Sequence, residues 1–277
     1  MKDKMTGYKI LKTILSPIYK LWYNPKIKGK ENIPTEGPII LAGNHIHIMD
    51  QCNIIISTKR PIYYMAKKEY FDKQYKEGKF SWFFRMAGCI PVDRTTKDEE
   101  AKSSAIQVLN SNNALGIFPE GTRNALKEDR IKELYDKYFT DKNIPYDEFY
   151  KKVKKNKASF INLLENFKDK GFITLEEFTD NIYDADAFLQ DMMLNHKLTE
   201  EEYVNNHLLP LKYGAVSLAS KTNALIVPYA ITGTYKFRSK DLTINIGKPF
   251  VIEEDLEKAN IKLDEEIKKL ITENLKK

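Results

Sequence analysis

Two rhythms of apolar residues alternate along the chain. Short apolar runs bounded by Gly, Pro or Asn fall at 38–42, 62–66, 88–94, 114–118 and 224–231, and a two-residue alternation falls at 242–247. These predict strands, several of them apolar throughout and so buried on both faces. Between them, apolar residues recur at helical spacing over 8–23, 98–110, 214–222 and 263–276. Strands alternating with helices predict an α/β fold with a single, mostly parallel sheet flanked by helices. No internal repeat is expected.

The rhythm changes over 125–208. Strand pattern almost vanishes, and helices are expected at roughly 128–139, 146–167, 174–193 and 199–208. This stretch reads as a helical insertion, 125–208, that interrupts one α/β domain made of 1–124 and 209–277. Within it, 166–177 has the Gly and closing Glu of an EF-hand loop. Lys168 and Lys170 stand where oxygen ligands are needed, so calcium binding is not expected.

The N-terminal helix is amphipathic. Tyr8, Leu11, Leu15, Ile18, Tyr19 and Trp22 share one side, flanked by Ile10, Ile14 and Leu21, with Lys9, Lys12 and Lys20 opposite. Pro17 is expected to kink or split it. Lys on one face with Trp and Leu on the other suits a helix lying in a membrane interface, or one packed on its own domain. Charge sharpens the picture. Residues 1–30 carry eight Lys against one acid, Asp3, whereas 125–208 carry 13 basic and 18 acidic side chains. A basic amphipathic segment, 1–30, suits an anionic membrane surface and speaks against nucleic acid as partner. Lys9, Lys12 and Lys20 interrupt the apolar stretch, so no signal peptide is expected, and no apolar run is long enough to span a bilayer. Cys52 and Cys89 lack metal or redox spacing and read as reduced core thiols of a cytoplasmic protein, with no metal site expected. The aromatic run Phe80, Trp82, Phe83, Phe84 and Met86 reads as core, or as the lining of a greasy pocket.

The chemistry concentrates where strands end. His45 follows the 38–42 strand, and Asp50 follows five residues later. A carboxylate on one imidazole nitrogen would leave the other free as a base. Taken alone, a His in a turn is commonly structural, and an Asp before an apolar run is commonly a helix cap. No Gly-x-Ser-x-Gly elbow exists in the chain, so a hydroxyl activated by His45 would come from a substrate.

Four strand-end motifs stand in order: Asn44-His45-Ile46-His47-Ile48-Met49-Asp50, Gly88-Cys89-Ile90-Pro91-Val92-Asp93-Arg94, Phe118-Pro119-Glu120-Gly121-Thr122-Arg123, and Ile226-Val227-Pro228-Tyr229-Ala230. Together they resemble the glycerophospholipid acyltransferases of the lysophosphatidic acid acyltransferase type, as does Tyr64-Met65-Ala66-Lys67-Lys68-Glu69. The resemblance covers about 1–124 and 209–277. The insertion departs from the compact family pattern; a lid over an acyl groove, a partner-docking arm or a spacer are its candidate roles.

The resemblance implies acyl transfer from acyl-CoA or acyl-acyl carrier protein to 1-acylglycerol 3-phosphate, giving phosphatidic acid, on the cytoplasmic face of the membrane and without a cofactor. It implies His45 as general base oriented by Asp50. Arg94 and Arg123 are implied as phosphate clamps, with Glu120, Gly121 and Thr122 forming the acceptor turn and Pro228 shaping the strand near the acyl chain. Guanidinium suits phosphate because it makes paired, charge-assisted hydrogen bonds. Two other readings compete. One keeps the reaction with another lysophospholipid or a glycolipid as acceptor; the other is a non-enzymatic lipid-surface module.

Overall fold

A computed structural model of the chain describes residues 2–72, 74, 76–93, 95, 98–252 and 255–276. Its strands are β1 (Lys26–Lys28), β2 (Ile39–Gly43), β3 (Ile62–Lys67), β4 (Ile90–Val92), β5 (Ala114–Ile117), β6 (Leu225–Thr232) and β7 (Thr243–Ile246). They form one sheet in the order β1-β7-β6-β2-β5-β3-β4. From β6 through β4 every neighbouring pair is parallel; β7 runs antiparallel to β6, and β1 runs parallel to β7. The helices in chain order are α1 (Lys2–Tyr23), α2 (Asp50–Ile55), α3 (Ser81–Met86), α4 (Glu99–Asn110), α5 (Glu128–Tyr138), α6 (Tyr146–Val153), α7 (Ala158–Asp169), α8 (Leu175–Asn181), α9 (Ala185–Leu194), α10 (Glu200–Asn205), α11 (Gly214–Thr222) and α12 (Leu256–Leu275). The mostly parallel α/β sheet flanked by helices is the architecture the apolar rhythm predicts. Strand β1 carries only one apolar residue, Ile27, and has no sequence signal of its own.

The chain divides into two compact units: 1–44, 48–121 and 211–277 form the first, and 45–47 with 122–210 form the second. In the first, β2 is the centre. Ile39, Ile40, Leu41 and Ala42 are all fully buried, as expected of a strand covered on both faces. Helix α11 lies between α4 and α12, while α1 packs against α2 and α3. Asp98 caps α4 by accepting from the Ala101 N–H at 2.9 Å.

Helix α1 departs from the expected pattern in three ways. It continues through Pro17 as one helix. Tyr8 and Tyr19 are buried, but Ile10, Ile14, Ile18 and Leu21 are exposed. Lys12, expected on the polar face, turns inward and donates to the Thr58 carbonyl. The helix therefore has an inner face against its own unit and a second, outward apolar stripe. Phe80 and Trp82 are also exposed, at 63 % and 58 %, so this part of the aromatic run is not core. Cys52 and Cys89 are free thiols, and burial pushes both up to about 12.

The second unit is helical. The helix expected over 146–167 is broken at Asn156. This buried side chain donates to Val153 O and Ile182 O, each at 3.0 Å, and accepts from the Ala185 N–H at 3.0 Å. One amide thus ends α6 and ties it to the start of α9. The helix expected over 174–193 likewise splits into α8 and α9 around a 3₁₀ turn, Ile182–Asp184. A recurrence also emerges, contrary to expectation. Ile144-Pro145-Tyr146-Asp147-Glu148-Phe149, Ile173-Thr174-Leu175-Glu176-Glu177-Phe178 and Leu198-Thr199-Glu200-Glu201-Glu202-Tyr203 each open a helix. Phe149, Phe178 and Tyr203 occupy equivalent positions and are fully buried. The second and third copies form complete capping boxes, and the flanking apolar pair has the spacing of a hydrophobic staple. Glu177, the closing position of the EF-hand-like loop, accepts from the Thr174 N–H at 2.7 Å as part of its box.

Two charged clusters lie inside this unit. Lys157 Nζ lies 3.1 Å from His207 Nδ1 and 3.4 Å from Asp186, which also accepts from Tyr203. Burial keeps His207 neutral, well below its ordinary value. In the other cluster, Glu165 accepts from Tyr138 at 2.7 Å, Lys137 at 3.0 Å and Arg130. Burial alone raises this carboxyl, but the three donors outweigh it and bring it down to about 2. A folded value below the unfolded one means the stabilisation is full above about pH 4.5 and fades as pH falls towards 2. Glu165→Gln is therefore expected to lower stability at neutral pH by roughly 2 kcal/mol and to flatten the loss of stability between about pH 5 and pH 2. Thermal melting of both proteins across that range checks this; parallel curves would refute it.

Candidate active site

The site residues follow from the register of three strands. Ala42 of β2 stands opposite Ile117 of β5 on one side and Pro228 of β6 on the other. Parallel pairing aligns the carboxyl ends of these strands, the edge where open α/β sheets place their chemistry. The first and third motifs are the segments that leave β2 and β5 there.

Asn44 fixes the chain as it leaves β2. It is fully buried. Its amide nitrogen donates to Ile231 O at 2.8 Å, and its amide oxygen accepts from the Ile231 N–H at 2.7 Å. The side chain thereby continues the ladder one step beyond the last strand residue. Asp50 opens α2 and is fully buried. Its Oδ1 accepts from the Tyr235 hydroxyl. That hydroxyl also accepts from Asn53 Nδ2 at 2.6 Å, and Asn53 Oδ1 accepts from the Tyr19 hydroxyl at 2.8 Å. Burial, followed by the charge of Asp50, pushes the Tyr235 phenol well above its ordinary value, which keeps it a donor.

Glu120 is buried and Gly121 turns with φ +71°. A Cβ on Gly121 would lie 2.9 Å from Cε and Nζ of Lys212, whose side chain runs over the turn. The Lys212 N–H donates to Pro119 O at 2.9 Å. Pro228 is buried in the body of β6, one register step before Tyr229 meets Gly43. Asp50, Glu120, Gly121 and Pro228 belong to the first unit.

His45, Thr122 and Arg123 belong to the second unit. There the Asn124 N–H donates to His45 O at 2.8 Å, so the residue after Arg123 is seated against the histidine's backbone. Asn124 is itself buried, at 1 % exposure. Its side chain donates to Ser159 Oγ at 2.7 Å and accepts from the Ser159 N–H at 3.1 Å, while Ser159 Oγ reaches Asn206 O. The insertion thus holds residue 124, which holds residue 45. His45 is half-buried, and Thr122 and Arg123 are exposed. Arg94 lies outside the described residues. Among the described residues, no group of three or more His, Cys, Asp or Glu side chains is arranged to hold a metal ion.

Sequence reasoning missed Tyr235, Asn53 and Ser159. None lies in a motif, and each acts on a residue remote in sequence. The place of Lys212 over Gly121 is a tertiary fact.

The family model described as Acyltransferase matches residues 24–232. The 1-acyl-sn-glycerol-3-phosphate acyltransferase of Bacillus subtilis is 30% identical over 117 residues, covering 42% of this chain and 57% of the relative. That of Borreliella burgdorferi is 32% identical over 107 residues, covering 38% of this chain and 41% of the relative. The matched stretches span about half the length of these curated relatives. Among solved structures, the 1-acyl-sn-glycerophosphate (LPA) acyltransferase of Thermotoga maritima aligns with a TM-score of 0.55 at 17% identity. That alignment covers 100% of this chain and 84% of the other and is a likeness of fold.

Asn44→Ala would leave both backbone groups of Ile231 buried and unanswered. A stability loss of roughly 2–4 kcal/mol is expected, on the order of 1–3 kcal/mol per stranded group. Urea unfolding measures it, and a loss under about 0.5 kcal/mol would mean that the clasp is not formed in solution.

Proposed function

This chain belongs to the acyltransferase family, and on that premise we propose that it transfers an acyl group from acyl-CoA or acyl-acyl carrier protein to the sn-2 hydroxyl of 1-acylglycerol 3-phosphate, forming phosphatidic acid. The observation that carries this reading is the Asn124 to His45 hydrogen bond of 2.8 Å, which joins the Phe-Pro-Glu-Gly-Thr-Arg segment to the histidine of the first motif. His45 takes the proton of the acceptor hydroxyl, whose oxygen attacks the thioester carbonyl. Collapse of the tetrahedral intermediate expels the thiolate, which receives the proton back from His45. Asp50 orients the imidazole and stabilises its charged form. No covalent acyl-enzyme is needed. Arg94 and Arg123 bind the acceptor phosphate, with Glu120, Gly121 and Thr122 shaping the turn that receives it. Exposure of Arg123 suits contact with an anionic headgroup.

The protein works at the cytoplasmic face of an anionic membrane. The outward stripe of α1 supports this: Ile10, Ile14, Ile18 and Leu21 recur at helical spacing and are 52 %, 58 %, 58 % and 69 % exposed. No helix among the described residues is long and apolar enough to cross a membrane, so α1 would lie in the interface plane.

An acyl-transfer assay with lysophosphatidic acid and both donor classes tests the reading. His45→Ala and Asp50→Asn are expected to lower kcat by about 10²–10⁴-fold. Arg123→Ala is expected to raise KM for the phosphate-bearing acceptor while leaving any turnover of phosphate-free acceptors unchanged. Equal use of acceptors with and without phosphate would overturn the assignment of acceptor. Full activity in His45→Ala would overturn the mechanism.

A further inference from the structure

The segment joining β6 to β7 presents two aromatic side chains to different surroundings. Tyr235 reaches the Asp50 carboxylate. Two residues on, Phe237 is 61 % exposed and sits edge-on to Trp22, itself 53 % exposed, with 5.0 Å between ring centroids. The Arg238 N–H donates to Trp22 O at 2.6 Å, and Arg238 turns the chain there with φ +48°. Tyr23 packs edge-on against Tyr235 at 5.5 Å. The last turn of α1 and this segment therefore form one assembly, with one aromatic pair outward and one pair against the carboxylate.

We propose that this segment is a second lipid contact, and that Tyr235 is a positioning residue for Asp50, so that one loop meets the bilayer and orients the carboxylate. The occupant of the Trp22–Phe237 patch is an anionic bilayer surface. The two rings extend the apolar stripe of α1, and Lys236, Arg238 and Lys240 are exposed around them. Paired aromatic rings beside cations match the headgroup region, where rings partition and anionic lipid attracts positive charge.

The positioning role follows from the direction of the hydrogen bonds. The Tyr19 hydroxyl donates to Asn53 Oδ1, which orients the amide. Asn53 Nδ2 then donates into the Tyr235 oxygen, so the phenolic proton is turned towards Asp50. Tyr19 belongs to α1, so the helix bearing the lipid stripe also sets the start of this relay. A chain of bonds aligned in one sense strengthens each member. This half of the proposal rests on reading His45 and Asp50 as the general base pair; the lipid half does not.

The test uses the full-length protein and vesicles of phosphatidylcholine and phosphatidylglycerol with brominated acyl chains. The chain has two Trp residues, so Trp82→Phe leaves Trp22 as sole reporter. Bromine is expected to quench Trp22 fluorescence in the Trp82→Phe protein. Phe237→Ser is expected to weaken vesicle partition about fivefold with an unchanged melting temperature. Tyr235→Phe keeps the ring and removes the hydroxyl. It is expected to lower kcat about tenfold, with KM for both substrates and vesicle partition unchanged. Unquenched Trp22, or Phe237→Ser partitioning like its parent, would overturn the lipid contact. Full kcat in Tyr235→Phe, or a loss that appears in KM or partition, would overturn the positioning role. Absence of acyl transfer in the unmutated protein would instead overturn the functional reading, and the quenching result would stand apart from it.

Discussion

The pairing of β2 with β5 on one side and β6 on the other is the constraint on which the remaining structure depends. Both neighbours occupy the backbone groups of β2, and its apolar side chains are buried on both faces. A slip of one residue would exchange those faces and strand the ladder, so the register is strongly held. Ala42 consequently meets Ile117 and Pro228 together, and the carboxyl ends of β2 and β5, far apart along the chain, lie at one sheet edge. Asn44 extends the same logic, because its amide takes the place of a backbone partner for Ile231.

The second unit is held together through few but well-buried groups. Its own core is closed by repeated aromatic positions, Phe149, Phe178 and Tyr203, and by the single amide of Asn156. Ser159 and the carbonyl of Asn206 hold Asn124, and Asn124 holds the carbonyl of His45. A long excursion from the third motif thus acts as a support for the backbone of the first. Its buried clusters around Glu165 and Asp186 are features of that support.

Helix α1 shows how one element can serve two environments. Tyr8 and Tyr19 face its own unit, while Ile10, Ile14, Ile18 and Leu21 face outward. Lys12 has an apolar stem that can cross to the inner side while its ammonium reaches a carbonyl, so its charge did not place it on the solvent face. A helical wheel shows a single broad apolar arc and cannot divide it between a buried face and an exposed one.

The amino-acid sequence by itself determined the strands of the central sheet other than β1, helices α1, α4, α11 and α12, the helical character of 125–208 and the four motifs. Each of these rests on local periodicity or on a short residue pattern. The tertiary structure alone decided the split of the helices at Asn156, the place of β1, the inward turn of Lys12 and the contact of Tyr235 with Asp50. Tyr235 and Asp50 stand 185 positions apart; a hydrogen bond at that separation leaves no periodic trace in either segment. Short patterns report what a residue's neighbours along the chain require, and which distant donor meets a buried carboxylate is settled only when the strands between them have paired.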